Sequence, residues 1–493
     1  MKRFCAEFPT LTRFKSMYLR TSKPHFDSMH EECGVFGVYS DECRDVAATA
    51  FYGLYALQHR GQESAGIAVT HNNRISCHRG MGLVPEVFTP QIISGLPDGD
   101  IAIGHVRYST TGEGLYVNAQ PLVFTGKPGR MALAHNGNII NTRELRDQLI
   151  EQNVLFQTTI DSEVIAALIN REAGGGDIVK AIISAASLLK GSFTLVIMTS
   201  TQLIGVRDGL GMRPLVLGKH LDEYILASET CALDAVGAEF IRDIQPGEVV
   251  VIDSKGPQSH FLSDRGEASC IFEYVYFSRP DSIIDGCSVY EARKASGRVL
   301  AEKYPVEADL VSGVPDSAVV AARGYSEASG IPYAEALAKN RYVGRTFIQP
   351  TQHMRELSVN LKMNALKANV NGKRLVLVDD SIVRGTTSRK IIDMLRRAGA
   401  KEIHLRISSP IIKYPCYFGL DTQTFGQLIG SEMDERQICD HIGADSLKFL
   451  TIDELVGTCK GAKLNFCLGC FSGKYPMPVD EKENSDKFRF DNG

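Results

Sequence analysis

No apolar run of about 18 or more residues breaks this sequence, so nothing in it is written to span a bilayer. Excess positive charge is also missing. Its 54 Lys and Arg stand against 58 Asp and Glu, a formal net charge of -4, which gives no broad attraction to nucleic acid or to an acidic membrane surface. Small molecules are therefore the expected ligands, with no nucleic-acid and no membrane partner. The twelve cysteines are scattered, with no secretory apolar segment ahead of them. That argues against a disulfide scaffold and for a reduced, cytoplasmic compartment. The string G-x-x-x-x-G-K-[ST] does not occur, so a nucleoside-triphosphatase phosphate loop is unsupported. What is there is ordinary globular material, 44% apolar and 23% charged over 493 residues, too long for one core and suited to two or three domains.

Residues 1–32 carry Lys2, Arg3, Arg13, Lys15, Arg20 and Lys23 without sustained periodicity and read as a leader that the fold does not need. Their basic, Ser/Thr-containing character leaves an organellar address open, against which stand Glu7, Asp27, Glu31 and Glu32. Met17 and Met29 are alternative starts. Immediately after comes HEECGVFGVYS (30–40), which sets Cys33 directly ahead of an apolar strand. By itself a thiol there is as much a core residue as a reactive one.

From Cys33 to about residue 255 the apolar pattern is mostly short and strand-like. SAGIAVTHNNRISCHRG predicts two strands around a turn at Asn72 and Asn73, and SFTLVIMTSTQLIGVRD another pair. VAATAFYGLYALQHRG predicts a helix with Val46, Ala50, Phe51, Leu54 and Leu57 on one face and Gly61 as its stop. Asn141 with Glu144 predicts a capping box for TRELRDQLIEQ, and DSEVIAALIN a further helix start. This is an α+β domain of sheets covered by helices. The Gly/Pro/Ser-containing stretch Ser254–Gly266 predicts the boundary, giving residues 33–260 and 261–480 as domains and 481–493 as a polar tail.

Beyond the boundary the order becomes strand, loop, helix, strand. RLVLVDD (374–380) is a continuous apolar strand ending in two acids, SIVRGTTS a polar loop, RKIIDMLRRAG a helix stopped by Gly399, and KEIHLRISSP the next strand. Such a βαβ unit implies a parallel sheet whose ligands bind beyond the carboxyl ends of its strands, and DLVSGVPDS (309–317) ends another strand in the same way. Gly385, Thr386, Thr387 and Ser388 at a helix N-terminus offer N–H groups, hydroxyls and a positive dipole end, which suits one phosphate. Asp379 and Asp380 would repel a polyphosphate unless they faced a ribose diol or a Mg²⁺. Phosphate at one end and sugar hydroxyls at the other describe a ribose 5-phosphate. A solvated acid pair beside a glycine turn is the plainer alternative.

VLVDDSIVRGTTS resembles the signature of type I phosphoribosyltransferases. KNRYVGRTFIQP (339–350) and CIFEYVYFSRPDS (270–282) resemble the glutamine phosphoribosylpyrophosphate amidotransferase family in particular, a likeness that runs from Glu32 to Pro476. The resemblance implies a four-layer αββα N-terminal-nucleophile glutaminase domain followed by an α/β type I phosphoribosyltransferase domain. It implies the entry step of de novo purine synthesis, in which phosphoribosylpyrophosphate, glutamine and water give phosphoribosylamine, glutamate and pyrophosphate.

On that resemblance Cys33 becomes residue one of the mature chain, its free α-amine (pKa about 7.7–8.0) serving a thiol whose own pKa is about 8.5. LQHRGQESAG (57–66), GHVRYSTTG (104–112), AHNGN (134–138) and TIDSE (159–163) resemble its glutamine-binding segments. Arg107 then takes the substrate carboxylate, Asp161 the α-amino group, and Asn136 with the Gly137 N–H forms the oxyanion hole.

In the back half the resemblance assigns phosphoribosylpyrophosphate to Lys339, Arg341, Arg345, Asp379, Asp380, Ser381, Arg384, Gly385, Thr386 and Thr387. One Mg²⁺ falls to Ser317, Asp379 and Asp380. C-x-x-C at Cys467 and Cys470 is only half a metal site by itself. The family likeness adds Cys270 and Cys416 and implies one structural [4Fe-4S] cluster per subunit. It also implies purine nucleotides as feedback inhibitors and a homotetramer or homodimer.

The chain departs from the family pattern at Asn360, where Arg is usual, at Ile160 before Asp161, and at Ala318-Val319-Val320. The first puts a phosphate or regulatory contact in doubt. Other glutamine amidotransferases, such as glucosamine-phosphate or asparagine synthetases, lack the Asp-Asp loop. A non-catalytic phosphoribosylpyrophosphate sensor would not need Cys33, Arg107 and Asp161 together.

Overall fold

The computed structural model describes residues 33–108, 114–340, 363–420, 422 and 424–480. The leader, the tail, Arg341, Arg345 and Asn360 lie outside the described residues.

Two antiparallel sheets stack face to face in the front half. One has the order Glu239–Asp243, Val216–His220, Glu223–Ala227, Gly34–Arg44, Gly99–Arg107, Ser64–His71, Arg74–Met81. The other runs Gly256–Phe261, Glu248–Asp253, Leu203–Arg207, Gly191–Met198, Gly129–Ile139, Leu122–Gly126. Strand periodicity sorts their side chains into three cores. Val35 and Tyr39 point between the sheets with Ala132, Ala134, Val196 and Met198. Phe36 and Val38 point outward beneath the helix Val46–Ala56. Leu133 and Leu195 point to the far side, beneath Asp161–Glu172 and Ile178–Leu188. The layers are therefore helix, sheet, sheet, helix. Helix Val46–Ala56 buries Val46, Ala50 and Leu54 as its spacing predicts, and Asn72 and Asn73 take positive φ in the hairpin turn.

Two local expectations are corrected. Asn141 stands at the cap position just before Thr142–Glu151 but makes no side-chain cap. Its amide donates to Leu188 O (3.0 Å) and accepts from the Lys190 N–H (2.9 Å), so a tertiary strap takes the groups a capping box would use. The helix after Val46 ends at Ala56, ahead of Gly61. The expected boundary contains a strand, Gly256–Phe261, which pairs with Glu248–Asp253 at the edge of the second sheet. Its polar, exposed residues reflect an edge position.

The back half is built on a parallel sheet of Leu310–Gly313, Arg374–Asp379, Glu402–Ile407 and Ser446–Phe449. The helix Thr386–Arg397 buries Ile391, Ile392 and Leu395 against it. Each such side chain contributes about 1.5–3 kcal/mol of burial. The halves are joined by buried polar contacts. Arg207 forks onto Asp285 with both bonds at 2.8 Å, Arg60 pairs with Glu229 and Glu273, and Asn138 Nδ2 donates to Tyr417 O at 2.7 Å.

Candidate active sites in two domains

In the front half Cys33 stands at the mouth between the sheets. Pairing of Gly34 with Val106 sets it beside the end of Gly99–Arg107, and its buried thiol lies 3.4 Å from Tyr108 O. Arg107 is buried at that strand end, with Glu63 3.6 Å away. Asn136 and Gly137 come from the other sheet, opposite Thr194 and Phe193. Gly137 has φ +145°, and a Cβ there would stand 2.1 Å from Ser192 O, so only glycine fits. The buried Asn136 Nδ2 has no hydrogen-bond partner among the described residues, which is what a donor reserved for a ligand oxygen looks like. Asp161 opens Asp161–Glu172, and its carboxylate accepts the Ile139 N–H at 3.1 Å. Ile160, at the N-terminal cap of that helix, is buried and makes no side-chain cap, so its departure from a small polar residue exchanges a cap for core contact.

Sequence reasoning missed what holds these pieces in register. His105 is fully buried, and burial pushes its pKa down to about 3, so the ring is neutral at ordinary pH. Its Nε2 lies 2.9 Å from His135 O and therefore donates, bonding one sheet to the other one residue before Asn136. His135 Nδ1 lies 3.1 Å from Ser162 Oγ and 3.5 Å from Asp161. The signal lay inside GHVRYS and AHNGN, in the histidines beside the residues that were singled out.

In the back half Asp379 and Asp380 end their strand, and Val314 N–H donates to Val378 O at 2.9 Å, so the 314–317 turn lies alongside. Ser317 donates to Asp380, and Ser381 Oγ donates to Asp380 Oδ1 at 2.7 Å. Burial pushes the Asp380 carboxyl above the ordinary carboxylate range, opposed by those two hydroxyls and by Arg293. Lys339 pairs with Asp316, which brings it to the same rim. Gly385 takes φ +79° as the N-terminal cap of Thr386–Arg397, so Arg384, Gly385, Thr386 and Thr387 turn into a helix start beside the acids. Arg341 and Arg345 lie outside the described residues.

The four cysteines come together from three segments. Cys270 and Cys467 are register partners in a short parallel pair. The N–H groups of Lys413 and Tyr414 both donate to Cys470 O at 3.0 Å, tying in the segment that bears Cys416. All four line one small cavity with Met212, Arg213, Phe272, Phe418, Leu420 and Tyr475. Burial pushes Cys467 up to about 11 and Cys470 well above the usual thiol range, the neighbouring cysteines adding to it. Among the described residues no group of three or more His, Cys, Asp or Glu is spaced to hold a metal ion as the side chains stand. The donor set is nevertheless chemically suited, since soft sulfur in a dry apolar pocket selects iron–sulfur or similar centres.

Residues 105–235 match the glutamine amidotransferase domain family and residues 288–408 the phosphoribosyl transferase domain family. The chain is 50% identical to an amidophosphoribosyltransferase of Synechocystis over 95% of both chains. It is 49% identical to the Bacillus subtilis one over 92% of this chain and 95% of that. Its structure superposes with TM-score 0.85 on glutamine phosphoribosylpyrophosphate amidotransferase from B. subtilis complexed with ADP and GMP, at 48% identity, covering 91% of this chain and 98% of that one. With a glutaminase-type site in front, a phosphoribosyltransferase rim behind, and near-half identity to such enzymes from end to end, the chain belongs to the amidophosphoribosyltransferase family, which carries out the glutamine-dependent first step of purine biosynthesis.

Proposed function

We propose that this enzyme works through Cys33 as an N-terminal nucleophile, released by cleavage of the Glu32–Cys33 bond, and that ammonia made there passes internally to the rim at Asp379 and Asp380. The observation that carries this reading is the unpartnered buried Nδ2 of Asn136, set beside the positive-φ Gly137 on the sheet that faces Cys33. The free α-amine takes the thiol proton, the Cys33 sulfur attacks the γ-carboxamide carbon of glutamine, and the carbonyl oxygen becomes an oxyanion. Asn136 Nδ2–H and Gly137 N–H stabilise that oxyanion, such a donor being worth about 3 kcal/mol. Collapse, with the α-ammonium returning its proton to the leaving nitrogen, expels ammonia, and water, activated by the same amine, then hydrolyses the Cys33 thioester to glutamate. Arg107 orients the substrate carboxylate and Asp161 its ammonium group.

At the second site ammonia attacks the anomeric carbon and pyrophosphate leaves. Asp379 and Asp380 orient the ribose, residues 381–387 bind the 5-phosphate, and Lys339 with Arg341 and Arg345 meets the pyrophosphate. The oxygen-only donors at Ser317, Asp379 and Asp380 fit one Mg²⁺, which when bound supplies charge neutralisation for the leaving group. Cys270, Cys416, Cys467 and Cys470 would hold one [4Fe-4S] cluster in a structural role, because no step of the reaction moves electrons. Purine nucleotides are proposed as inhibitors, supported by the relative complexed with ADP and GMP. The assembly is proposed to be a homotetramer or homodimer in the cytoplasm. Among the described residues no helix is long and apolar enough to cross a membrane.

The test is the mature terminus. Intact mass and N-terminal sequencing of active protein should show Cys33 first. Full glutaminase activity in a chain still carrying residues 1–32 contradicts the reading.

A further inference from the structure

Cys287 and Cys459 are used by neither site. Both are buried in the core of the back half, Cys287 on the hairpin strand Cys287–Ser288 and Cys459 directly after the helix Ile452–Thr458. The two segments are fastened together on either side of the thiols. Lys463 N–H donates to Asp285 O at 2.9 Å, a Cβ at Gly286 would stand 3.0 Å from Gly461 O, and Thr458 Oγ1 lies 3.4 Å from Ser296 Oγ on the helix that follows Cys287. With both neighbours pinned, the two thiols face the same core and each perturbs the other's titration, while each also lies near a backbone carbonyl of its own segment, Cys287 Sγ 3.7 Å from Ser288 O and Cys459 Sγ 3.9 Å from Leu455 O. We propose that Cys287 and Cys459 form a redox-modification site, a dithiol that a low-molecular-weight disulfide converts to a reversible internal disulfide.

Only a thiolate attacks a disulfide, so the exchange starts when local opening lets one thiol of the pair lose its proton. That thiolate attacks one sulfur of the oxidant R–S–S–R, forming a mixed disulfide and releasing one thiolate. The second cysteine of the pair, once deprotonated, attacks the protein sulfur of the mixed disulfide and releases the other. Two S–H bonds are lost, one S–S bond forms, and the oxidant leaves as two R–SH carrying both protons and both electrons. Lys460, Gly461 and Lys463 beside Cys459 are exposed, so access needs local opening of this surface turn rather than unfolding of the core.

The bond would lock two functional joints to each other. Asp285, two residues before Cys287, holds Arg207 of the front half. The chain after Cys459 runs on to Cys467 and Cys470. Oxidation therefore ties the interdomain ion pair to the C-terminal segment that bears Cys467 and Cys470 by a covalent link that does not depend on a metal.

Purified full-length protein is treated with oxidised glutathione, its iron content measured before and after, and digested without reduction. A peptide cross-linked between Cys287 and Cys459 should appear, vanish on treatment with dithiothreitol, and accompany a raised Tm. Cys287→Ala and Cys459→Ala, each checked by circular dichroism, should lose both the cross-link and the Tm rise. Glutathione adducts at the exposed Cys43 and Cys77 without any Cys287–Cys459 cross-link would overturn the proposal. A Tm rise that persists in both alanine variants would also overturn it.

Discussion

The front half gathers Cys33, Arg107, Asn136 and Asp161 from two sheets and the start of a helix, none more than 6% exposed. The back half sets its acids, Ser317 and Ser381 at the ends of two adjacent parallel strands, with Lys339 reaching in from a side chain 44% exposed. The difference follows from what each site must do. Glutamine hydrolysis needs an oxyanion stabilised by fixed dipoles in a dry pocket, and fixed dipoles come from a rigid, doubly covered sheet pair. A large, highly charged sugar phosphate is better received at the open carboxyl edge of a parallel sheet, where a helix start and a basic segment can meet it. The two are joined where it matters for coupling: Asn138 and Ser192, flanking the Asn136-Gly137 pair, donate to Tyr417 O and Phe418 O at 2.7 Å each. The segment that carries Cys416 is thus packed on the back of the proposed oxyanion hole.

Short of removing the nucleophile itself, taking away one fixed dipole should give the largest effect. Asn136→Ala should lower kcat for glutamine hydrolysis about 10²–10³-fold with a smaller change in KM, and leave ammonia-driven synthesis near the parent rate. A fall in both nitrogen-donor reactions together would erase the distinction between the halves.

On the proposed cluster assignment, Cys467→Ser should lose colour and iron relative to the parent and destabilise the C-terminal segment by roughly 2–5 kcal/mol, by analogy with loss of a native cross-link. Because Cys416 is tied to the front half, glutamine hydrolysis should suffer with it. Unchanged iron content in the variant contradicts the cluster assignment.

Much of this contrast is readable from the chain, but unevenly. The back-half site lies largely within residues 374–388, a strand, a turn and a helix start in unbroken order, so local chemistry alone suggests a ribose phosphate. The front-half residues are up to 128 positions apart, Cys33 to Asp161, and only the family likeness collects them, because strand pairing across two sheets leaves no local mark. His105 and His135 stayed hidden for the same reason: a histidine in a strand looks like any polar residue until the opposing sheet supplies its acceptor. Asn141 misled in the other direction, since its side chain serves Leu188 and Lys190 on a distant segment and its neighbour Glu144 implied a purely local cap.

The smallest predicted effect tests that hidden register. His105→Leu removes the donor to His135 O and should cost about 1–3 kcal/mol of stability. The pH dependence has a definite sign. The unfolded imidazole takes up a proton near 6.5, whereas the folded ring resists it down to about 3. Its contribution is full above pH 6.5 and is lost progressively as the pH falls toward 3. Urea titrations at pH 7.5 and 4.5 should show a smaller acid loss in His105→Leu than in the parent. Equal losses would mean that the ring does not titrate this way.

The central claim is that one chain holds two separable chemistries, and paired variants assayed with both nitrogen donors test it most directly. Cys33→Ala should abolish phosphoribosylamine formation from glutamine, by at least ~10⁴-fold, while sparing its formation from high added ammonia at alkaline pH. Asp380→Asn should lose both. Loss of the ammonia reaction in a folded Cys33→Ala protein, or its survival in Asp380→Asn, would contradict the account.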